Sequence, residues 1–240
     1  MSTPPDSPPP NLSGDYAPTK DHTKVLILCA IVIVMGGFLF MQYLQKLKLD
    51  AIKMQDRAPI ITKLKENLKA TEMSGKEVDL GQLEGKVWVV GFLYTVCPRG
   101  CAGLAVEMKK LQDEFGANPN FQLVSVSLYP EWDTPERLRA WTEAQGFKGD
   151  NWWFLTGDGP KLRGYMKDQF KLPLFEIPKE QQKNEFDLYE HKLALILVDS
   201  KLRIRGAYDF SSFDMIDQFG EALRKDLKQV LGEVGQPDKQ

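Results

Sequence analysis

Cysteine and histidine are scarce in this chain of 240 residues, with three of the first and two of the second. So few cysteines exclude a disulfide-stapled framework; those present read as a site instead. Excess positive charge is also missing. Lys and Arg number 31 against 33 Asp and Glu, a net charge of −2, and this excludes the basic footprint of a nucleic-acid-binding protein. The lysines of the 63–69 segment alternate with apolar residues and read as a solvated strand or helix face.

One long hydrophobic run is present. Residues 25–44 are almost wholly apolar and uncharged. At about 1.5 Å per residue, such a run covers roughly the 30 Å hydrocarbon core of a bilayer. It reads as a transmembrane helix. A cleaved signal peptide fits less well, because signal cores span only about 7–15 residues and end in a small-residue cleavage site. The stretch Met35-Gly36-Gly37-Phe38 matches such a site poorly. Residues 1–24, rich in Pro, Ser, Thr and Asp, bury too little to offset ordering entropy and read as a disordered tail. Residues 45–57 carry leucine and lysine at helical spacing and read as a stalk. Residues 58–232 form one globular domain, and 233–240 a flexible C-terminal tail.

Lysine counts alone place the domain on the cytoplasmic side. Lys20 and Lys24 precede the run, whereas Lys46, Lys48, Lys53 and Arg57 follow it. That rule has limited force for large translocated domains.

Within the domain, the run 87–94 is continuously β-branched and aromatic, as in a central strand buried on both faces. A helix is expected over 102–115, with Pro98 in its first turn. A second buried strand follows at 121–128. Asp133-Thr134-Pro135-Glu136 starts another helix, 152–155 is a short strand, and 160–170 a further helix. Residues 171–190 lack a period and read as a long loop. A hairpin over 193–208, turning at Asp199-Ser200-Lys201, leads to a closing amphipathic helix over 213–231. Strands alternating with helices imply an α/β domain with a parallel sheet covered on both faces. Ligands then gather at the carboxyl ends of strands, where Cys97 falls.

Outside the apolar run, which holds Cys29 and follows His22, the chain offers only Cys97, Cys101 and His191. Two thiols and an imidazole are a ligand set that a soft metal such as Cu(I) prefers. At the start of a helix, positions four apart share a face, so the thiols can bind one metal jointly or join as a disulfide. A helix N-terminus and the adjacent Arg99 both favour the thiolate.

Residues 60–230 resemble the SCO/SenC family of membrane-anchored, thioredoxin-fold copper proteins. The strongest piece is Thr95-Val96-Cys97-Pro98-Arg99-Gly100-Cys101, similar to the family's T-x-C-P-x-x-C. Ser125-Val126-Ser127, Asp133-Thr134-Pro135-Glu136, Trp153-Phe154-Leu155-Thr156-Gly157 and Glu190-His191 follow in the family's order. The resemblance implies a thioredoxin-like sheet flanked by helices, and copper held by Cys97, Cys101 and His191. It implies that the loop before His191 moves on metal binding. It also implies delivery of the ion to a cytochrome c oxidase subunit during assembly. Family topology puts the N-terminus in the cytoplasm and the domain on the periplasmic side of the inner membrane, against the lysine count. Three positions depart from the pattern: Arg99 stands for an acidic residue, Ala102 for a proline, and Tyr129 for an aspartate.

Other chemistries compete. As a thiol–disulfide oxidoreductase, Cys97 would attack a partner's disulfide and Cys101 would resolve it. The spacing is one residue longer than the usual C-x-x-C, and His191-Lys192-Leu193 stands where a proline would fall; both favour metal. A peroxiredoxin-type peroxidase places its threonine three residues before the cysteine, whereas Thr95 is two before Cys97. An inert disulfide with His191 capping a loop is the bland alternative. The five tryptophans read as packing, and Tyr189 and Glu190 as surface residues.

Overall fold

The structure, a computed structural model, describes residues 23–55, 57–98, 101–147, 151–212 and 216–237. The side chains of residues 23, 49–55 and 101 are outside that description. Most of the expected N-terminal tail, the end of the C-terminal tail, and the expected helix start at 213–215 therefore lie outside the described residues.

The chain divides into two units, residues 1–56 and 57–240. The first holds one helix, α1 (Thr23–Gln55), which carries the hydrophobic run and continues through the expected stalk. Its most apolar 18-residue window, within Lys24–Lys48, has a mean hydropathy of 2.6, and none of that window is buried. Among the described residues it is the one helix long and apolar enough to cross a membrane.

The second unit is built on a mixed sheet. In chain order its elements are β1 (Thr62–Lys63), β2 (Lys69–Glu72), β3 (Glu77–Asp79), β4 (Val87–Leu93), α2 (Cys101–Phe115), β5 (Phe121–Ser127), α3 (Pro135–Ala144), β6 (Trp152–Thr156) and α4 (Gly159–Phe170). Then come β7 (Leu174–Glu176), β8 (Tyr189–His191), β9 (Ala194–Val198), β10 (Arg203–Asp209) and α5 (Ile216–Gly232). The main sheet runs β1-β10-β9-β4-β5-β6-β2-β3.

Every residue of β4 is buried. Its side chains alternate between two cores, as a period of two requires. Trp88, Val90, Phe92 and the following Tyr94 pack with Leu162, Met166 and Phe170 of α4. Val87, Val89 and Leu93 pack with Leu104, Met108 and Leu111 of α2 and with Leu223 and Leu227 of α5. The helix starts follow their capping signals: Thr134 accepts from the Arg137 N–H with Pro135 in the first turn, and Asp158 accepts from the Lys161 N–H.

Two expectations need correction. The sheet is not all parallel: β4, β5 and β6 are parallel, but β9 runs antiparallel to β4. The expected hairpin is present, a tight turn at 199–202 joining β9 to its antiparallel neighbour β10. The segment 171–190 is not structureless. It carries β7 and β8, paired as a small separate sheet in which Leu174 lies opposite His191. Strands of three residues are too short to produce a readable period. Pro98 lies in a turn after β4, and residues 99–100 between it and α2 lie outside the described residues.

Candidate metal and redox site

The site is set by β4 and by the antiparallel approach of β9. Gly91 lies opposite Leu195, so the start of β9 sits beside the carboxyl end of β4. The segment leading into β9 and the segment leaving β4 therefore emerge at the same end of the sheet. His191 and Cys97 occupy those two positions.

After β4 the chain turns. The Cys97 N–H donates to the Tyr94 carbonyl at 3.2 Å. Cys97 is half-buried and disulfide-bonded. The Cys101 side chain, like Arg99 and Gly100, lies outside the described residues. Cys97 is not in a helix, which corrects the expectation that both sulfurs stem from one helical face. The cause is Pro98: a residue preceding proline is sterically pushed out of the helical region.

A buried carboxylate braces this turn. Asp133 has no exposed surface. It accepts from the Thr95 hydroxyl at 2.6 Å and from the Thr95 N–H at 3.3 Å. Its other oxygen accepts from the Ser127 hydroxyl at 2.6 Å. Burial pushes the Asp133 carboxyl above the usual carboxylate range, outweighing the hydrogen bonds from Ser127 and Thr95 that favour the charged form. Sequence reasoning took Asp133 only as part of a helix start. The available clue was redundancy: Thr134 already supplies the cap, so the aspartate beside it had another task.

His191 ends β8 and is half-buried. Its ring packs edge-on to Phe92, with centroids 5.9 Å apart, and tilted against Tyr94 at 6.3 Å. Nδ1 lies 3.2 Å from the Lys192 carbonyl. A carbonyl only accepts, so this bond places a proton on Nδ1. The His191 ring and the Cys97 turn therefore share one neighbour, Tyr94. Among the described residues no three His, Cys, Asp or Glu side chains form a ready metal cluster.

The segment ahead of His191 is fastened in several places. The Tyr94 hydroxyl donates to the Phe186 carbonyl at 3.3 Å. Tyr189 is half-buried rather than a plain surface residue, with the Arg163 guanidinium 5.1 Å from its ring centroid. Burial raises its phenol pKa. Glu190 is exposed, as expected.

A central strand that ends in a Cys-Pro turn, helices on both faces, and an antiparallel hairpin completing the sheet define a thioredoxin-like α/β domain. The chain belongs to the SCO1/SenC family, whose profile matches residues 61–228. A SCO1 protein homolog from Bacillus subtilis (strain 168) is 37% identical over 84 residues, which are 35% of this chain and 44% of that protein. The match thus spans less than half of that relative's length.

Solved structures extend the likeness. A SCO1/SenC family lipoprotein from Bacillus anthracis str. Ames superposes with a TM-score of 0.60 at 26% identity, over 71% of this chain and 96% of that one. BsSco, a member of the Sco family of cytochrome c oxidase assembly proteins in which a disulfide switch was identified, gives 0.54 at 27% identity over 68% and 95%. ScoI from Bradyrhizobium japonicum, solved with copper bound, gives 0.55 at 22% identity over 69% and 98%, and shares the fold.

Proposed function

We propose that this protein is a membrane-anchored copper metallochaperone that binds copper through Cys97, Cys101 and His191 and passes it to a cytochrome c oxidase subunit during assembly. The observation that carries the reading is the meeting of His191 and the Cys97 turn on Tyr94, at the end of the sheet where α/β folds gather ligands. Family membership and the softness of two thiolates with one imidazole support it. Cys97 stands in a disulfide here, so two electrons must be supplied before its sulfur can act as a thiolate ligand. Copper is the cargo of the reaction.

The helix α1 is the anchor in this reading, with the N-terminus in the cytoplasm and the second unit on the periplasmic side. Protease added to spheroplasts is expected to degrade the second unit; full protection would reverse the orientation.

The disulfide at Cys97 favours one second reading, a thiol–disulfide oxidoreductase. In that reaction the Cys97 thiolate attacks a partner's disulfide, one partner sulfur leaves as thiolate, and Cys101 displaces the other. The partner gains two electrons and this domain is left with its own disulfide.

One substitution separates the readings. In the reduced full chain in detergent micelles, His191→Ala is expected to weaken Cu(I) binding by at least about tenfold against a chromogenic chelator, about 1.4 kcal/mol. Reduction of a model disulfide should be unchanged. Equal copper affinity in the variant and the parent would refute the three-ligand site.

A further inference from the structure

Two neighbouring residues between β5 and α3 reach to opposite sides of the proposed site. Asp133 holds the Cys97 turn through Thr95. Trp132 stacks edge-on against Phe186, with ring centroids 4.9 Å apart, and Phe186 belongs to the segment that leads into His191. The two N–H groups of this pair donate to one carbonyl, that of Tyr129, at 3.0 and 2.8 Å, which fixes them relative to each other.

The indole is itself pinned. The Arg137 guanidinium lies over its ring at 3.9 Å, and the same guanidinium donates to the Trp132 carbonyl at 3.1 Å. A second fastening comes from the start of the same connection. Arg163 donates to the Leu128 carbonyl at 3.0 Å, pairs with Glu131 at 3.2 Å, and faces the Tyr189 ring. One short stretch of chain, residues 128–137, therefore carries both the thiol-bearing turn and the imidazole-bearing segment.

The two attachments differ in kind. The Asp133 bonds are buried and directional, so they set a fixed position. The Trp132–Phe186 contact is between half-buried rings and has no hydrogen bond to enforce it. Such a pair contributes modestly and tolerates sliding.

We infer that Trp132 is a positioning residue: through Phe186 it keeps the segment preceding His191 docked beside the Cys97 turn, so that the imidazole is within reach when copper arrives. This rests on the three-ligand reading above. In this reading Trp132 acts through the segment that carries His191. Releasing the contact therefore lowers copper affinity by raising the cost of bringing the third ligand in, and leaves the thiols as they were.

The test is a double-mutant cycle on the reduced full chain in detergent micelles, with Cu(I) titrated against a chromogenic chelator. Trp132→Ala is expected to weaken binding about 3- to 10-fold, the size of one aromatic pair. The same substitution in the His191→Ala background should change nothing, and Trp132→Phe should restore most of the affinity. Phe186→Leu removes the contact from its other side and should reproduce the result if Trp132→Ala fails to fold. Equal weakening in both backgrounds would reveal a general structural effect and overturn the inference, as would unchanged affinity in Trp132→Ala and Phe186→Leu. An unchanged affinity for His191→Ala alone would instead refute the ligand set itself.

Discussion

The two sides of the site are built differently. The Cys97 side grows directly out of β4, a strand buried along its whole length, and is tied down by a carboxylate with no exposed surface. The His191 side hangs from a three-residue strand outside the main sheet. A buried carboxylate, Asp187, ties that segment to itself by accepting from the Lys183 N–H at 2.8 Å, but it meets the Cys97 side through ring contacts and a long 3.3 Å bond from Tyr94. The lesson is a division of labour. The sulfur side is positioned by the fold, whereas the nitrogen side is delivered by a segment whose docking can be adjusted.

The contrast can be broken most severely at Asp133. Asp133→Leu strips the partners from the Thr95 and Ser127 hydroxyls and is expected to cost about 2–4 kcal/mol, the range for breaking a buried hydrogen-bond network. Urea unfolding in detergent micelles, read by tryptophan fluorescence, would measure it; a loss below about 0.5 kcal/mol, the range of ordinary surface changes, would mean that the turn does not depend on the carboxylate.

Gly91→Ala comes next, because it acts on the register that joins the two sides. A Cβ there would sit 2.8 Å from Leu195 Cδ2 and 3.2 Å from the Ala194 carbonyl. Leu195 can shift, but the backbone of β9 has less room, so about 1–3 kcal/mol is expected from overpacking. The same unfolding experiment checks it. An unchanged midpoint would show that β9 adapts freely beside β4.

The smallest effect is expected on the His191 side. Tyr94→Phe removes the hydroxyl donated to the Phe186 carbonyl, which is worth about 0.5–1.5 kcal/mol at most for a neutral bond. Its signature should be local: faster amide exchange over residues 183–191 with little change in β4. Equal acceleration in both regions would erase the proposed difference.

Much of this architecture was legible in the sequence, for identifiable reasons. The run 87–94 could be read as a doubly buried strand because its β-branched and aromatic residues are unbroken by polar ones. Thr134-Pro135 marked a helix start through capping chemistry that acts within one turn of chain. The β9/β10 hairpin was legible from its turn, but the antiparallel pairing of β9 with β4 was harder, since strand direction depends on which neighbour a strand finds, and that is settled by tertiary packing. The β7/β8 pair was invisible because three residues carry no period.

The site divides in the same way. Cys97, Cys101 and His191 were legible as rare residue types beside apolar runs. Asp133 and Trp132 were not, because their roles depend on partners far away in the chain, Thr95 and Phe186. The helical rationale for the cysteine spacing was also incomplete, since Pro98 keeps Cys97 out of α2.

X-ray absorption at the copper edge, on the reduced full chain loaded with Cu(I) in detergent micelles, tests the central claim most directly. The expected first coordination shell is two sulfurs and one nitrogen, with the nitrogen lost in His191→Ala. A shell of sulfur alone in the parent chain, or a nitrogen that persists without His191, would contradict it.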